Sequence, residues 1–423
     1  MDQNISFNTT MLNGLYKVHD AAHWTRAQKL FEQQKPLESF YALLDYLDPQ
    51  LCERYGNADR TEFTIPHGST VVIIKLHDGQ LTIRAPFVYI PETKNLPIFR
   101  KCTELNFTVL TVPQIVLEDD LLVFTCSMPI ALCEPYKLYD LLRDICINAD
   151  KYDDEFVTRF HARRVLEPMV TNYSDEILAQ IIQTCQSIAT ETLTYIKHFE
   201  AKRKLSQACD ALFIGMKRIE YYCAPTAMLG NKLEEAFAAM FNRDNDMLGK
   251  LKPGKALLES FATMTTDELR ESCYVTFNLI PVRKNANRKT LEEWIEDDYE
   301  GTTESFNQDD FLGAAFRTQF ALYRVLADFN IEDSIRNPIE KGLKAAAGKP
   351  WEEAAATLML VLDWLYQNNG EDLDIDSDEE ENDAVANAMA GFDMNAYMEQ
   401  MSGFMGNFQN MLGGLLKGVG KNK

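Results

Sequence analysis

TVVIIKLHDGQLTIRAPFVYIP, residues 70–91, contains two runs of β-branched and other apolar residues on either side of Asp78-Gly79. An Asp-Gly pair between such runs is a strong hairpin signal, because a type I′ turn needs positive φ at both of its central residues. The sequence therefore predicts two antiparallel strands, 70–77 and 80–89, that meet at this turn.

Further helices and strands are predicted on both sides of the hairpin. An amphipathic pattern over residues 37–55 indicates a helix, and Pro49 within it predicts a kink or a break near Asp48. Glu134-Pro135 begins another helix that runs toward residue 160, since Pro is tolerated in a first helical turn. The remaining elements are strands at 61–65, 108–117 and 121–129 and a helix at 96–107.

Residues 37–160 thus follow the order α-β-β-β-α-β-β-α. This order, a length of about 120 residues for one compact domain and the central Asp-Gly hairpin resemble the YbjN-like family, whose fold is that of type III secretion chaperones. The resemblance implies a small α+β domain that often dimerises and presents a sheet face or a helical groove to a partner polypeptide. It implies no catalytic residues.

The region 161–367 is predicted to be mainly helical with a small sheet. CYVTFNLIPV, residues 273–282, is the convincing strand of this half, and Pro253-Gly254 indicates a turn. Thr290 is expected to cap an acidic helix, with Glu293 completing a capping box. Two alternatives fit: a helical domain around a small sheet, or a remote copy of the first module at 265–330. The other expected helices are 176–199, 201–223, 233–241, 311–329 and 352–366.

Composition limits the partners. The chain has 423 residues and 42 Lys+Arg against 64 Asp+Glu, which gives a net charge of −22. A field of this sign repels phosphate backbones, so nucleic acid is not expected as a partner and basic polypeptides are favoured. The nine cysteines include no C-x-x-C pair, and no signal peptide or membrane-spanning run is found. These features favour a reducing cytoplasm.

The predicted fold class is α+β. The chain is divided into a helical extension (1–36), the YbjN-like domain (37–160), the mainly helical region (161–367), an acidic linker (368–384) and an amphipathic tail (385–423). Nine acids lie between Glu371 and Asp383. A block of like charge cannot bury enough apolar surface to become ordered, so the linker is expected to be disordered.

The tail carries the predicted partner-binding residues. Its apolar positions recur with an alternating spacing of four and three, which is typical of an a/d seam on a helix, and Met suits surfaces that accept varied partners. Several glycines argue against a stable free helix, so the tail is expected to fold on binding. The predicted contacts are Met394, Met398, Met401, Phe404, Met405, Phe408, Met411, Leu412 and Leu415.

The occupant of this tail surface stays open between several alternatives. A partner polypeptide is favoured over a helix packed back on the chain's own body or used for self-association. Membrane contact is less favoured, because only Lys417, Lys421 and Lys423 are basic and the preceding linker is acidic.

Motifs for chemistry are missing from the sequence. There is no phosphate-binding glycine loop, no nucleophile elbow and no metal-ligand spacing among the six histidines. Asp372-x-Asp374-x-Asp376 departs from a calcium loop at Ser377 and Asp383 and is interpreted as a charge run. The basic cluster Arg283, Lys284, Arg288 and Lys289 is interpreted as a solvated turn rather than a site for an acidic partner.

These observations favour a non-enzymatic cytoplasmic chaperone or adaptor that binds another polypeptide and needs no cofactor or metal. A homodimer is an open alternative for its oligomeric state. The second functional hypothesis is an assembly subunit attached to a larger complex through the C-terminal helix, and a stable stoichiometric complex would distinguish it. An enzyme with spatially assembled residues ranks third, and a polar pocket with strongly perturbed titratable groups would favour it.

Overall fold

A computed structural model describes residues 3–12, 21–93, 95–166, 170–281, 283–367 and 373. The described residues form two compact units. The sheet unit contains the described parts of 19–171 and 275–282, and the helical unit contains those of 1–18, 172–274 and 283–367. Both units combine chain segments that are far apart in sequence, which local sequence patterns cannot indicate.

The sheet unit contains five α-helices and six strands among its described residues. The helices are α1 (Ala21–Glu32), α2 (Pro36–Leu47), α3 (Leu51–Tyr55), α4 (Leu96–Thr108) and α5 (Pro135–Phe160). The strands are β1 (Glu62–His67), β2 (Thr70–His77), β3 (Gln80–Tyr89), β4 (Gln114–Glu118), β5 (Leu121–Pro129) and β6 (Arg163–Arg164). The antiparallel order is β1-β2-β3-β5-β4, and β6 pairs with β3.

The α+β fold class and the predicted order of elements are confirmed. Asp78 and Gly79 have φ of 49° and 73°, and His77 pairs with Gln80 across the turn. The break near Asp48 is also confirmed, because α2 ends at Leu47 and Asp48, which precedes Pro49, is extended. The strand predicted at 108–117 begins only at Gln114, since α4 continues to Thr108.

The sheet buries one face against α5, which contacts β2 and β3. Leu81, Ile83 and Ala85 alternate along β3 toward that face and are 0–2% exposed. Full burial of side chains of the size of Leu81 and Ile83 contributes roughly 1.5–3 kcal/mol each. The other face carries cross-strand polar contacts, including an Arg84–Glu118 ion pair and a Thr82–Ser127 hydrogen bond of 3.0 Å.

Helices dominate the other unit. They are α6 (Asp175–Ala201), α7 (Leu205–Cys223), α8 (Ala227–Phe241), α9 (Met247–Ser260), α10 (Thr266–Arg270), α11 (Arg288–Asn307), α12 (Phe311–Asp328), α13 (Asp333–Ala346) and α14 (Trp351–Gln367). The short strands β9 (Lys284–Asn285) and β10 (Phe329–Asn330) pair in parallel. Two more short strands, β7 (Val170–Asn172) and β8 (Tyr274–Thr276), lie where the chain passes between the units.

Three local predictions for this half are wrong. The strand expected at 273–282 shrinks to Tyr274–Thr276, because the Leu279 backbone N–H instead donates to His67 Nδ1. Pro253-Gly254 lies inside α9, where a Cβ on Gly254 would meet Leu212 at 2.8 Å, so close helix packing outweighs the local turn signal.

The cap of the acidic helix α11 is the third correction. The side chain of Asn287 accepts from the Thr290 backbone N–H, so the N-cap lies three residues before the predicted cap and α11 begins at Arg288. The two alternatives for 265–330 are also distinguished, because strands β8 to β10 hold two or three residues each. The described part of this region is a helical domain with small sheets, not a copy of the first module. No described helix is long and apolar enough to cross a membrane.

Candidate protein-binding surface

Helix α4 carries apolar residues on two opposite faces. Ile98, Cys102 and Leu105 form one face and are buried at 0–7% exposure. Leu96, Phe99 and Phe107 recur with Thr103 at three- and four-residue steps on the opposite face and are exposed. An amphipathic surface helix normally places polar residues on its outer face, so the second apolar face of α4 needs an explanation.

The exposed apolar residues continue beyond the helix. Val109 and Val112 follow α4, and Leu117 lies on β4. Single exposed apolar side chains are normal, but this segment holds six of the 14 exposed large ones among the described residues. The α4–β4 surface is defined as Leu96, Phe99, Phe107, Val109, Val112 and Leu117. Phe107 is the most exposed of them, at 85%.

Strand β4 is an edge of the sheet, and its backbone is partly blocked. The Asn106 side-chain amide donates to the Ile115 carbonyl at 3.0 Å, and the Ile115 N–H donates to Asn106 Oδ1 at 2.7 Å. Backbone groups alternate along an antiparallel strand, so the outward groups of β4 belong to Ile115 and Leu117. Pro113, the preceding outward position, has no N–H.

Little free backbone is therefore left for pairing with a strand from a partner. Blocking an edge in this way is how sheets avoid edge-to-edge association. The α4–β4 surface consequently presents apolar side chains rather than backbone hydrogen bonds. Such a surface suits an apolar helix face or groove of a partner better than an added strand.

Helix α4 also contacts α5 through the Lys101 side chain. Lys101 pairs with Glu104 at 3.1 Å and approaches Glu155 of α5 at 3.8 Å. Its ammonium group also lies 5.3 Å from the centre of the Tyr152 ring. These contacts, together with the buried face of α4, fix the orientation of the exposed face on a rigid support.

A second candidate is the turn cluster, defined as His67, Ser69, Asp150, Asp153 and Arg164. The Ser69 N–H and hydroxyl both donate to Asp150 Oδ1, at 2.5 and 2.8 Å. Arg164 pairs with Asp153. These bonds join the β1–β2 turn, helix α5 and β6.

Burial perturbs two groups of the turn cluster. It lowers the pKa of His67 to about 4 and raises the pKa of Asp153 to about 7. The nearby Asp150 partly opposes the first shift, and Arg164 partly opposes the second. His67 Nδ1 accepts the Leu279 N–H at 3.1 Å, so the proton of the neutral ring is on Nε2.

Perturbed titratable groups are a mark of active sites, so the turn cluster is a candidate active site among the described residues. The cavity beside Asp153 and Arg164 has a volume of about 10 Å³, room for about one water molecule. The carboxylates of Asp150 and Asp153 are occupied by Ser69 and Arg164. The arrangement suits a structural connection between elements rather than substrate binding.

Metal and cofactor binding gain no support from the described residues. Within them, no group of three or more His, Cys, Asp or Glu side chains is placed to hold a metal ion. All nine cysteines are free. Burial raises the pKa of Cys146, which disfavours its thiolate.

The predicted contacts of the tail, Met394 to Leu415, lie outside the described residues and stay a prediction. The basic cluster differs from the solvated turn predicted for it. Arg283 donates to the Leu326 carbonyl at 2.9 Å, and Arg288 lies 4.0 Å from the Trp364 ring centre. These two arginines connect elements of the helical unit.

The α4–β4 surface was not predicted from the sequence, although a signal was present. Leu96, Phe99 and Phe107 have helical spacing, and Ile98, Cys102 and Leu105 have helical spacing on another face of the same segment. Two apolar faces on one short helix indicate either complete burial or a surface that binds something.

No protein-family model matches this chain, and no curated protein matches it. The YbjN-like resemblance of residues 37–160 stays a prediction.

Proposed function

We propose that this chain is a non-enzymatic cytoplasmic chaperone or adaptor that binds another polypeptide through the α4–β4 surface. The exposed outer face of α4, with Phe107 85% exposed, is the observation that carries the proposal. Apolar side chains grouped on one rigid helix face lose their contact with water when a partner covers them, and this burial drives association.

The chemistry of the surface narrows the class of partner. The blocked β4 edge disfavours an added strand, so the partner supplies an apolar helix or groove. The net charge of −22 favours a partner with basic residues around that apolar part, because complementary charge speeds association. The YbjN-like resemblance agrees with this proposal, since it implies a domain that presents a surface to a polypeptide. The Met/Phe-rich residues 394–415 provide a second contact.

Affinity capture from native lysate tests the proposal. Four forms of the chain are compared by mass spectrometry of the retained proteins: the unchanged chain, the double variant L96D/F107D, a chain ending at residue 369, and L132D. Leu132 is 56% exposed in the sheet unit but lies outside the α4–β4 surface, so L132D is the matched control. We expect L96D/F107D to retain at least tenfold less of a set of partner proteins that L132D retains at the level of the unchanged chain. Each apolar side chain buried by a partner contributes roughly 1.5–3 kcal/mol.

Each result bears on a different part of the proposal. Loss in the truncated chain alone assigns binding to the tail and rejects the α4–β4 surface as the site. Equal retention by all four forms also rejects it. If no form retains a protein, the adaptor role fails.

A further inference from the structure

Residues 3–12, the N-terminal segment, lie against the helical unit without forming a helix of their own. Asn4, Ile5, Thr10, Met11 and Leu12 are buried, at 0–7% exposure. The contacts of the segment come from α6, α7, α12 and the connection between α13 and α14. The segment therefore occupies a groove built from helices that are distant from it in sequence.

Asn4 fills one end of the groove with four hydrogen bonds. Its backbone N–H donates to the Lys349 carbonyl at 2.7 Å, and its carbonyl accepts the Gly348 N–H at 3.3 Å. Its side chain donates to the Ala346 carbonyl at 3.0 Å and accepts from Gln319 at 2.8 Å. Every polar group of Asn4 thus has a partner in the groove, which is the arrangement that selects an Asn side chain.

Ser6 meets the Glu191–Arg218 ion pair, in which Arg218 is buried and Glu191 is partly exposed. Its N–H and hydroxyl donate to the two carboxylate oxygens of Glu191, at 2.9 and 3.0 Å. Arg218, 2% exposed, donates to Glu191 at 2.6 Å and to the Ser6 hydroxyl at 2.8 Å. Hydrogen bonds to charged groups are stronger than neutral ones, so Ser6 contributes to recognition although the residue itself is exposed.

Thr10 and Met11 fill the other end of the groove. The Thr10 hydroxyl donates to the Tyr221 carbonyl at 2.8 Å, and the Met11 N–H donates to the Tyr222 carbonyl at 3.1 Å. Both carbonyls belong to the last turn of α7, which ends at Cys223. The last carbonyls of a helix have no partner within it, so the segment satisfies groups that α7 leaves open.

The walls of the groove contact one another directly. Phe199 of α6 meets Phe316 of α12 at 5.7 Å between ring centres. Phe213 of α7 stacks on Phe320 of α12 at 4.2 Å. These two ring contacts join the walls without passing through residues 3–12, so the helices of the groove also pack directly on one another.

We infer that this groove is a peptide-binding site that the chain's own N-terminal segment occupies as a dissociable ligand. In trans it binds an extended peptide with the pattern Asn-x-Ser-x-x-x-Thr, read through the peptide backbone and its short polar side chains. This mode of recognition uses main-chain hydrogen bonds for affinity and side-chain contacts for specificity. The inference does not rest on the α4–β4 surface.

Cutting the connection behind the segment tests this inference in the full chain. A protease recognition sequence is placed within residues 13–20, the chain is purified folded, and it is then cut. A fluorescent synthetic peptide of residues 3–12 is added, and binding is followed by anisotropy. We expect saturable uptake by the cut chain and at least tenfold weaker binding by the uncut chain, in which the tethered segment competes.

Peptide variants give matched controls. Replacing the serine at position 6 with alanine in the labelled peptide is expected to weaken binding about tenfold, because it removes hydrogen bonds to the Glu191–Arg218 pair. A scrambled peptide is expected not to bind. The E191Q chain is expected to lose affinity for the Ser6 peptide more than for the alanine variant.

Several results would overturn the inference. A cut chain that keeps its unfolding transition but never takes up the labelled peptide means that the segment is a fixed part of the fold. Unfolding on cutting leads to the same conclusion. Equal binding of the scrambled peptide, or equal uptake by the uncut chain, means that the peptide binds elsewhere.

Discussion

The turn cluster and the α4–β4 surface lie in the same unit but differ in the side chains that they bury and expose. In the turn cluster, polar groups are buried and paired with one another, as Ser69 is with Asp150. In the α4–β4 surface, apolar groups are exposed, and the one backbone edge beside them is blocked by Asn106. Helix α5 supports both regions, through Asp150 at one and Glu155 at the other.

This difference separates stability from binding. Directional hydrogen bonds in a buried cluster fail when one partner changes, because the remaining group is left unpaired. Exposed apolar side chains contribute little to folding and become favourable only when a partner covers them. Substitutions in the turn cluster should therefore alter the free energy of unfolding, while substitutions in the α4–β4 surface should alter association.

The largest expected effect is the response of His67 to acid. Its pKa is about 4 in the folded chain and 6.5 in the unfolded chain, so the unfolded state binds more protons between these values. Stability from this group is complete above pH 6.5 and falls as the pH drops through 4, by about 3 kcal/mol in total. The Asp153 carboxyl acts in the opposite sense between pH 3.8 and about 7.

The H67N variant isolates the histidine contribution. An Asn side-chain oxygen can accept the Leu279 N–H in place of Nδ1 but does not titrate. Urea unfolding of both chains at pH 7.5 and pH 4.5 should show the wild-type chain losing more stability than H67N. Equal losses would mean that His67 does not change its protonation on unfolding.

Two glycine substitutions sharpen the role of Asp150. Gly68 has a φ of +54°, and an added Cβ would lie 2.1 Å from Asp150 Oδ1, whereas Gly79 has a φ of +73° and open space around it. Both Ala variants lose about 1 kcal/mol to the left-handed backbone. G68A should lose about 2 kcal/mol more than G79A in denaturant unfolding, since Asp150 must move away from Ser69. Similar losses of stability in G68A and G79A would show that Asp150 moves away from the added Cβ at little energetic cost.

Replacing Asn106 should lower the free energy of unfolding and increase self-association at the same time. N106A removes two hydrogen bonds from Ile115, which lowers the free energy of unfolding by about 1 kcal/mol and frees the β4 edge. Sedimentation should show self-association that increases with concentration. N106D retains an acceptor for the Ile115 N–H and should associate less. If N106A stays monomeric at every concentration, Asn106 does not prevent pairing at the β4 edge.

The smallest effect on stability is expected at Phe107. F107S should change the free energy of unfolding by less than about 0.5 kcal/mol, because the side chain is 85% exposed. I98S, on the opposite face of the same helix, should lower it by several kcal/mol, since Ile98 is fully buried. Thermal unfolding of the two variants measures this contrast. A large loss in F107S would place Phe107 in the folded core instead.

Local signals predicted the strands of the sheet unit well. The Asp78-Gly79 turn fixes the register of β2 and β3, and its backbone requirement can be read directly from the sequence. The bounds of β5, Leu121–Pro129, also agree with the prediction. Alternating burial and a turn of known geometry are properties of neighbouring residues, so a single sequence contains them.

Contacts between distant segments could not be predicted in this way. His67 meets Leu279 across 212 residues, and Asn4 meets Lys349 near the other end of the chain. Gly254 resembled a turn residue because the close approach of α7 cannot be seen locally. The second apolar face of α4 was visible in the spacing, yet only its exposure shows that it differs from a core face.

Site-specific photocrosslinking tests the central claim most directly. The full chain carries a photoreactive benzoyl-phenylalanine at position 107 or at position 136, where Tyr136 is 55% exposed in the same unit but outside the α4–β4 surface. After irradiation in native lysate, the chain labelled at 107 should form a discrete covalent adduct with a partner polypeptide, and the chain labelled at 136 should not. An adduct only from position 136, or a partner that co-purifies without any adduct at 107, would contradict the assignment of the α4–β4 surface.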